Sequence, residues 1–351
     1  MTMADHGADV IMIEPANGVG EPTRAMGARA SDGASIWFRN IARGKRAVAL
    51  DLKGAAQKDI FLKLADQADV VVEAFRPGVA KRLGIDYEAL AERNPRLVYC
   101  SISAFGQDGP RRDKPAHDLA VQALAGTADL ARASDGKPAM PNLVAADMAA
   151  SLTALGAILM ALLRREKTGA GDFIDVAMYD ALLAWTPNIA GSVFARDEAP
   201  VPGQMRNYGG QAMNRLYETS DGGHIALAGN ERKFCENLFA GLGRPDLAAL
   251  AADEPGAAQK PLIEFLEKVF RAKTRGEWEE FLGPLDLCWA PLRDLKDAFA
   301  DEHTKARAMV LIDDAGNRHI GAAVKFRDEP AAPHFELPPY VNFEPLAWKP
   351  R

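Results

Sequence analysis

The chain has 351 residues, of which 48% are hydrophobic and 26% charged; at about 150 residues per domain that is room for roughly two domains, and the balance excludes global disorder. The net charge of −6 argues against a nucleic-acid partner, because such binders carry a basic excess. Cys100, Cys235 and Cys288 are widely spaced with no Cys-x-x-Cys pair, which excludes a disulfide scaffold or zinc ribbon and leads to the expectation of a reducing, cytoplasmic location.

In chain order, the first half alternates short β-branched runs with helical patterns. Residues 9–14 (DVIMIE), 46–50 (RAVAL), 69–73 (DVVVE) and 97–103 (LVYCSIS) read as strands. Between the second and third, residues 54–67 place Ile60, Phe61, Leu64 and Ala65 at helical spacing, and residues 79–93 form a second helical stretch with Leu83 and Leu90, stopped by Asn94-Pro95. Strands alternating with helices predict parallel βαβ units and a doubly wound, Rossmann-like sheet, in which ligands bind outside the carboxyl ends of the strands. A strong helix follows over 148–166, with Leu152, Leu155, Leu159, Leu162 and Leu163 on its apolar side, and residues 173–178 resume as a strand or a helix entry. Its uncharged stretch, 148–163, is too short to span a bilayer comfortably, so no membrane partner is expected. Asp5 and Asp9 stand where a signal peptide would need an apolar core.

Residues 196–214 are rich in Pro, Gly and polar side chains and read as a long loop; residues 216–308 read as a second, mostly helical unit. The stretch 326–351 holds six prolines and is expected to run extended over a surface. The expected domains are a large Rossmann-like domain over 1–195, a small domain over 196–310, and a return to the large domain over 311–351. The six histidines are scattered with no ligand-spaced pair, so no metal is expected. The glycine-containing turns lack the strand–helix context of a dinucleotide fingerprint.

Several segments together resemble the family III CoA-transferases, a superfamily that also contains the α-methylacyl-CoA racemases. They are GADVIMIE (7–14), ARGKRAVALDLK (42–53), ADVVVEAFRPGVAKRLG (68–84), PRLVYCSISAFGQDGP (95–110), HDLAVQALAG (117–126), AADMAASLTALGAILMALLRREKTGAGDFIDVAMYDALLAW (145–185) and LYETSDGGHIALAGNERKF (216–234). The ordered set covers roughly residues 5 to 310. The resemblance implies the family fold, an α/β large domain with a smaller second domain, and an interlocked homodimer. It implies coenzyme A or acyl-CoA as substrate, a carboxylic acid as second substrate, and no tightly bound cofactor. The family opens with a strand and helix ahead of the Gly-Ala-Asp-Val segment, so an upstream apolar strand is expected from a full reading frame. The family's closing Gly-Glu-His-type motif is not found after Leu337-Pro338-Pro339.

Asp147 opens the helix that starts near Met148. As a structural residue it is an N-cap; by resemblance it is the aspartate that attacks an acyl-CoA thioester, and a helix N-terminus would favour its ionised form. His117 is a surface or core histidine on the plain reading. In the racemase branch this position is a base that works opposite the aspartate, and Glu231, otherwise a solvent-facing carboxylate at a helix start, matches the glutamate that supports it. The residues around Asp147, Met148-Ala149-Ala150-Ser151, lack the glycines of the racemases, and Val121 to Gly126 reads like the transferase version. Three functions follow: a CoA-transferase using Asp147, a racemase using His117 and Asp147, and a non-catalytic acyl-CoA binder.

The resemblance also assigns Arg24, Leu50, Lys53, Ala74, Phe75, Arg82 and Leu83 to CoA, with cations for its phosphates and Leu and Phe for its flat adenine. Arg43, Lys45 and Arg46 form a basic knot, read either as phosphate support or as a solvated turn. The Phe105 to Pro110 loop is either a plain turn or a site wall whose glycines let backbone approach the thioester. Gly209-Gly210 is a thin candidate for a loop that covers the reacting group.

Overall fold

Short runs of β-branched and apolar residues become strands wherever the sequence places them, and the helical stretches between them pack back on the sheet. The computed structural model describes residues 1–133, 135–341, 347 and 348. In chain order the elements are α1 (Thr2–Asp5), β1 (Ile11–Pro15), α2 (Ile36–Ala42), β2 (Arg46–Leu50), α3 (Ala55–Ala65), β3 (Val70–Glu73), α4 (Val79–Leu83), α5 (Tyr87–Arg93) and β4 (Val98–Ser103). They continue with α6 (Asp118–Leu124), α7 (Ala145–Thr168), β5 (Asp172–Ala177), α8 (Met178–Ala184), α9 (Gly191–Arg196), β6 (Asn214–Glu218), β7 (His224–Ala228), α10 (Arg232–Gly241), α11 (Lys260–Phe270), α12 (Arg275–Leu282) and β8 (Trp289–Pro291). Two short helices, α13 (Leu295–Ala300) and α14 (Glu302–Ala306), lead to the antiparallel pair β9 (Val310–Ile312) and β10 (Arg318–Ile320).

The chain divides into two units. The first holds residues 1–115, 150–178 and 295–351, the second residues 116–149 and 179–294. The expected boundary at 195/196 thus falls inside the second unit.

In the first unit all five long strands are parallel, but they form two sheets instead of one. β1 pairs with β2, Ile11 opposite Arg46 through Pro15 opposite Leu50. β4 lies between β3 and β5, with Val98 opposite both Val70 and Asp172. Val98 and Cys100 on β4 are fully buried, as a central parallel strand covered on both faces requires. The core gathers Val48, Leu50, Phe61, Leu90, Leu97 and Tyr99. The single helical stretch expected over 79–93 is broken at Gly84, whose φ of 70° closes α4 in the left-handed region that glycine tolerates. The extended tail returns to this unit: Val341 O accepts from Ala49 N at 2.9 Å and Asp5 O from Ala332 N at 2.9 Å. The parts of the expected tail at 342–346 and 349–351 lie outside the described residues.

The basic knot is neither phosphate support nor a solvated turn. Arg43 is wholly buried and forks onto buried Asp5, Nη2 to Oδ2 at 2.8 Å and Nε to Oδ1 at 3.2 Å. Arg46 pairs with Asp9 at 2.5 Å, and burial lowers the pKa of Lys45. The two arginines neutralise acids from the first segment of the chain, a pairing across about 40 positions that local sequence does not announce.

The second unit is built on an antiparallel sheet, β6–β7–β8, that the mostly helical expectation missed. Its signal is short: five residues on each side of an Asp221-Gly222-Gly223 turn. α10, α11 and α12 cover the sheet with Leu238, Phe239, Leu266, Phe270, Trp278 and Leu282. α11 buries Leu262, Leu266 and Phe270 at four-residue steps, and Thr274 with Glu277 closes a capping box on α12.

Candidate active site

Two groups of candidate residues fall in different units. Asp147, His117 and Glu231 belong to the second, and the seven CoA candidates to the first.

The surroundings of Asp147 are set by the junction of α6 and α7. His117 takes the N-cap position of α6 in extended backbone, and its side chain makes no cap bond. The next residue, Asp118, turns its carboxylate to the start of α7, where Oδ1 accepts from Ala146 N at 2.8 Å and Asp147 N at 3.2 Å. Two of the four orphan donors of that helix are thereby satisfied. Buried Gln122 holds the arrangement, donating to Asp118 Oδ2 at 2.6 Å and to Leu143 O at 2.9 Å. The capping side chain is therefore Asp118, and Asp147 is the third residue of α7. This corrects the reading of Asp147 as the N-cap. Ala146 and Ala149 are fully buried beside it, so the helix docks through small residues while Asp147 faces outward and is exposed.

The environment of Asp147 also acts on its charge. Its pKa is raised, first by burial and then by the neighbouring charge of Asp118; His117 opposes both. His117 and Asp147 thus feel one another electrostatically. Glu231 stands exposed at the N-cap of α10.

Gly209 and Gly210 occupy a tight turn in this unit. A Cβ on Gly210 would lie 2.7 Å from backbone atoms of Gln204 and Met205, so only glycine fits. Arg215 clamps the turn by donating to Gly209 O at 2.7 Å. An open cavity of about 820 Å³ adjoins it, lined by Leu130, Arg132, Val201, Tyr208 and Arg215 among others. Arg132 is already engaged with Asp129 at 2.6 Å.

In the first unit the CoA candidates sit at or after the carboxyl ends of β1, β2 and β3, where a parallel sheet binds ligands. Their side chains differ in what they can offer. Arg24 forks onto buried Glu14, Nε to Oε2 at 2.7 Å and Nη2 to Oε1 at 2.5 Å, and covers the Phe38 ring at 4.2 Å. Leu50 is 2% exposed and belongs to the core, so its side chain cannot pack on an adenine; only its backbone at the strand end is presented. Lys53 is exposed in a turn tied by Asp51, which accepts from Lys53 N at 3.0 Å. Ala74 and Phe75 follow β3, both exposed, with Phe75 N donating to Glu73 at 2.6 Å. Arg82 is exposed on α4 while Leu83 packs against the core. The Phe105 to Pro110 loop is anchored: Gly106 N donates to Ser103 Oγ at 2.9 Å, and Gln107 reaches Asp175 and Ser101, each at 2.8 Å.

Residues 1–344 match the model of CoA-transferase family III. The chain belongs to that family. An acetyl-CoA:oxalate CoA-transferase of Acetobacter aceti is 34% identical, over 95% of this chain and 87% of the relative. A succinyl-CoA:mesaconate CoA-transferase of Haloarcula hispanica is 34% identical, over 88% of this chain and 80% of the relative. Among solved structures, a CaiB/BaiF family protein of Brucella suis superposes with a TM-score of 0.81 at 30% identity, covering 97% of this chain and 90% of that one. The protein is accordingly a CoA-transferase of the family III fold, and the family's substrates are acyl-CoA and carboxylates. Asp118, Gln122 and Asp175 act as supports that no sequence motif marks. Asp118 and Gln122 stand inside the quoted 117–126 segment, but a cap that reaches 28 positions along the chain leaves no local mark.

Proposed function

We propose that this CoA-transferase moves CoA between two carboxylic acids with Asp147 as the covalent nucleophile. The observation that carries this is an outward-facing carboxylate on the first turn of α7, whose backbone is held by a separate residue, Asp118.

The steps balance without water. The Asp147 carboxylate attacks the thioester carbonyl, the C–S bond breaks, and CoA leaves as thiolate, giving a mixed anhydride. The thiolate then attacks the Asp147 carbonyl of that anhydride and releases the first acid, leaving an Asp147–CoA thioester. The acceptor carboxylate attacks this thioester, a second anhydride forms, and the thiolate takes the new acyl group, which regenerates Asp147. The relatives are named for oxalate and mesaconate, so dicarboxylates are the first acceptors to test. Hydroxylamine added with acyl-CoA should trap a hydroxamate on Asp147, read by peptide mass. A protein that turns over but never carries the label would remove the covalent scheme.

The pH dependence follows from the neighbours of Asp147. Attack needs the ionised form, so activity is lost as pH falls through the raised pKa. Asp118→Asn keeps an acceptor for the two helix donors and removes the like charge. The acidic limb of the pH–rate profile should then move to lower pH, while the unfolding midpoint falls because the Asn amide no longer accepts from Gln122 Nε2. An unmoved limb would show that Asp147 does not feel Asp118.

The racemase reading rests on the resemblance at His117 and on its electrostatic influence on Asp147. It predicts exchange of the substrate α-proton with solvent deuterium, abolished in His117→Ala. The transferase reading predicts no exchange and a modest effect of the same substitution on CoA transfer.

We also propose that a second copy covers α7. Met148, Leu152, Leu159 and Leu163 line one stripe of this helix at 51%, 52%, 54% and 68% exposure, far more apolar surface than a lone helix leaves to water. By length and composition α7 is the one helix among the described residues able to cross a membrane, because it extends past both ends of the expected stretch. Light scattering at micromolar concentration should give twice the chain mass without detergent.

A further inference from the structure

We infer that Glu73, Ser101 and Asp175 are positioning residues that fix the 105–110 loop for acyl-CoA binding, an inference that rests on the assignment of the chain as a CoA-transferase. The three stand in one row across the sheet. Glu73 on β3 is opposite Ser101 on β4, and Ser101 is opposite Asp175 on β5. The row lies near the carboxyl ends of these parallel strands, the edge at which such sheets bind ligands. The loop is held from it at two points: Gln107 Nε2 donates to Ser101 Oγ and Gln107 N to Asp175 Oδ2, each at 2.8 Å. Ser101 is 1% exposed; its oxygen takes the Gln107 bond and its hydrogen turns to Glu73. Glu73 Oε2 also accepts from Phe75 N at 2.6 Å, so the row ties the segment after β3 to the segment after β4. Gly106 has a φ of 85°, and a Cβ there would stand 3.4 Å from Asp175 Oδ2, a backbone approach that glycine permits.

The row is a costly way to tie a loop. Other acids of this unit are held by arginines: Glu14 by Arg24, Asp5 by Arg43, Asp9 by Arg46 and Asp66 by Arg93. Glu73 and Asp175 take their hydrogen bonds from the N–H and O–H groups of neutral residues. Burial raises the pKa of Glu73 against the bonds from Ser101 and Phe75 N, and the charge of Asp175 adds to the rise. On β4, burial and then Glu73 push up the pKa of Tyr99 and Cys100, so both stay neutral beside it. A perturbed carboxyl group at the ligand edge of a sheet is the pattern of a functional site. Protonation of Glu73 sets a second hydrogen against the one that Ser101 already directs at it. The hydroxyl must then turn, and the Gln107 bond is disturbed with it. The ionised form therefore holds the loop, and the hold is lost as pH falls through the raised pKa.

The test joins amide hydrogen exchange over residues 105–110 to steady-state kinetics of the full chain with acetyl-CoA as donor, for the wild type, Glu73→Gln, Asp175→Asn and Gln107→Ala. Glu73→Gln mimics the protonated acid at every pH. It should speed exchange in the loop and raise the KM for acetyl-CoA, each by about tenfold, the loss of a bond to a charged group, with kcat within about twofold. The wild type should reach that KM only as pH falls, whereas the variant should hold it across the range. Asp175→Asn keeps an acceptor for Gln107 N and removes the like charge, so the rise in KM should move to lower pH. Gln107 is half-buried, and Gln107→Ala, which spares the strands, should give the same split of KM from kcat even where Glu73→Gln fails to fold. Loop exchange that stays at the wild-type rate in Gln107→Ala overturns the inference, as does a loosened loop with an unchanged KM. Should the wild type bind acetyl-CoA without transferring its CoA, calorimetric affinity takes the place of KM. An affinity that still follows Glu73 and Gln107 would then fault the functional reading and leave the row standing.

Discussion

Asp147→Asn should lower the rate of CoA transfer by on the order of 10³-fold or more, with no loss of thermal stability. The amide has the same shape but cannot attack a thioester. The docking of α7 uses Ala146 and Ala149 on its buried face, and Asp118 satisfies the donors of Ala146 and Asp147. The direction of the stability change follows from the raised pKa. A carboxyl group whose folded pKa lies above its unfolded value makes the fold less stable where it is ionised, and that cost disappears as pH falls through the folded pKa. At neutral pH the Asn variant should therefore unfold at the same temperature or slightly higher. Steady-state rates with acetyl-CoA and succinyl-CoA as donors, alongside thermal unfolding at pH 7, check both halves. Wild-type turnover in the variant would end the nucleophile proposal.

Arg43→Met should destabilise the protein by about 3–5 kcal/mol, the cost of leaving a buried carboxylate without its partner. Asp5 is 2% exposed and Arg43 is wholly enclosed, so water cannot replace the missing fork. At about 2–4 °C per kcal/mol for a unit of this size, the unfolding midpoint should fall by roughly 6–20 °C. The more exposed Arg46–Asp9 pair, with side chains 27% and 21% exposed, should matter less, since solvent-screened pairs contribute about 0–1 kcal/mol. Removing both buried charges together, as Asp5→Leu with Arg43→Met, should restore most of the loss. Thermal unfolding of the single and double variants decides it; a single variant within 1 °C of the wild type would mean that the pair is not held as described.

The elements legible in the sequence were those whose signal is local. The run RAVAL became β2 over Arg46–Leu50, LVYCSIS became β4 over Val98–Ser103, and the leucine pattern after Asp147 became α7. Each is a stretch whose own hydrophobic period states both its conformation and the face it buries. Residues 173–178, left open between strand and helix entry, became β5 over Asp172–Ala177 beside β4. The division of the parallel strands into two sheets was not legible, because a strand's run does not name the neighbour it will hydrogen-bond. The β6–β7–β8 sheet was missed because five-residue strands carry little periodicity beside the long helical patterns that follow.

The sequence alone determined the α/β class, the family resemblance later matched over residues 1–344, and the position of Asp147 at the head of a long apolar helix. It did so because hydrophobic period and ordered motifs are properties of neighbouring residues. Only the tertiary structure decided how the charges are partnered: that Arg43 is taken by Asp5 and Arg24 by Glu14, and that Asp118 caps α7. An ionic side chain finds its partner by folding distance, and that distance is not written in the spacing along the chain.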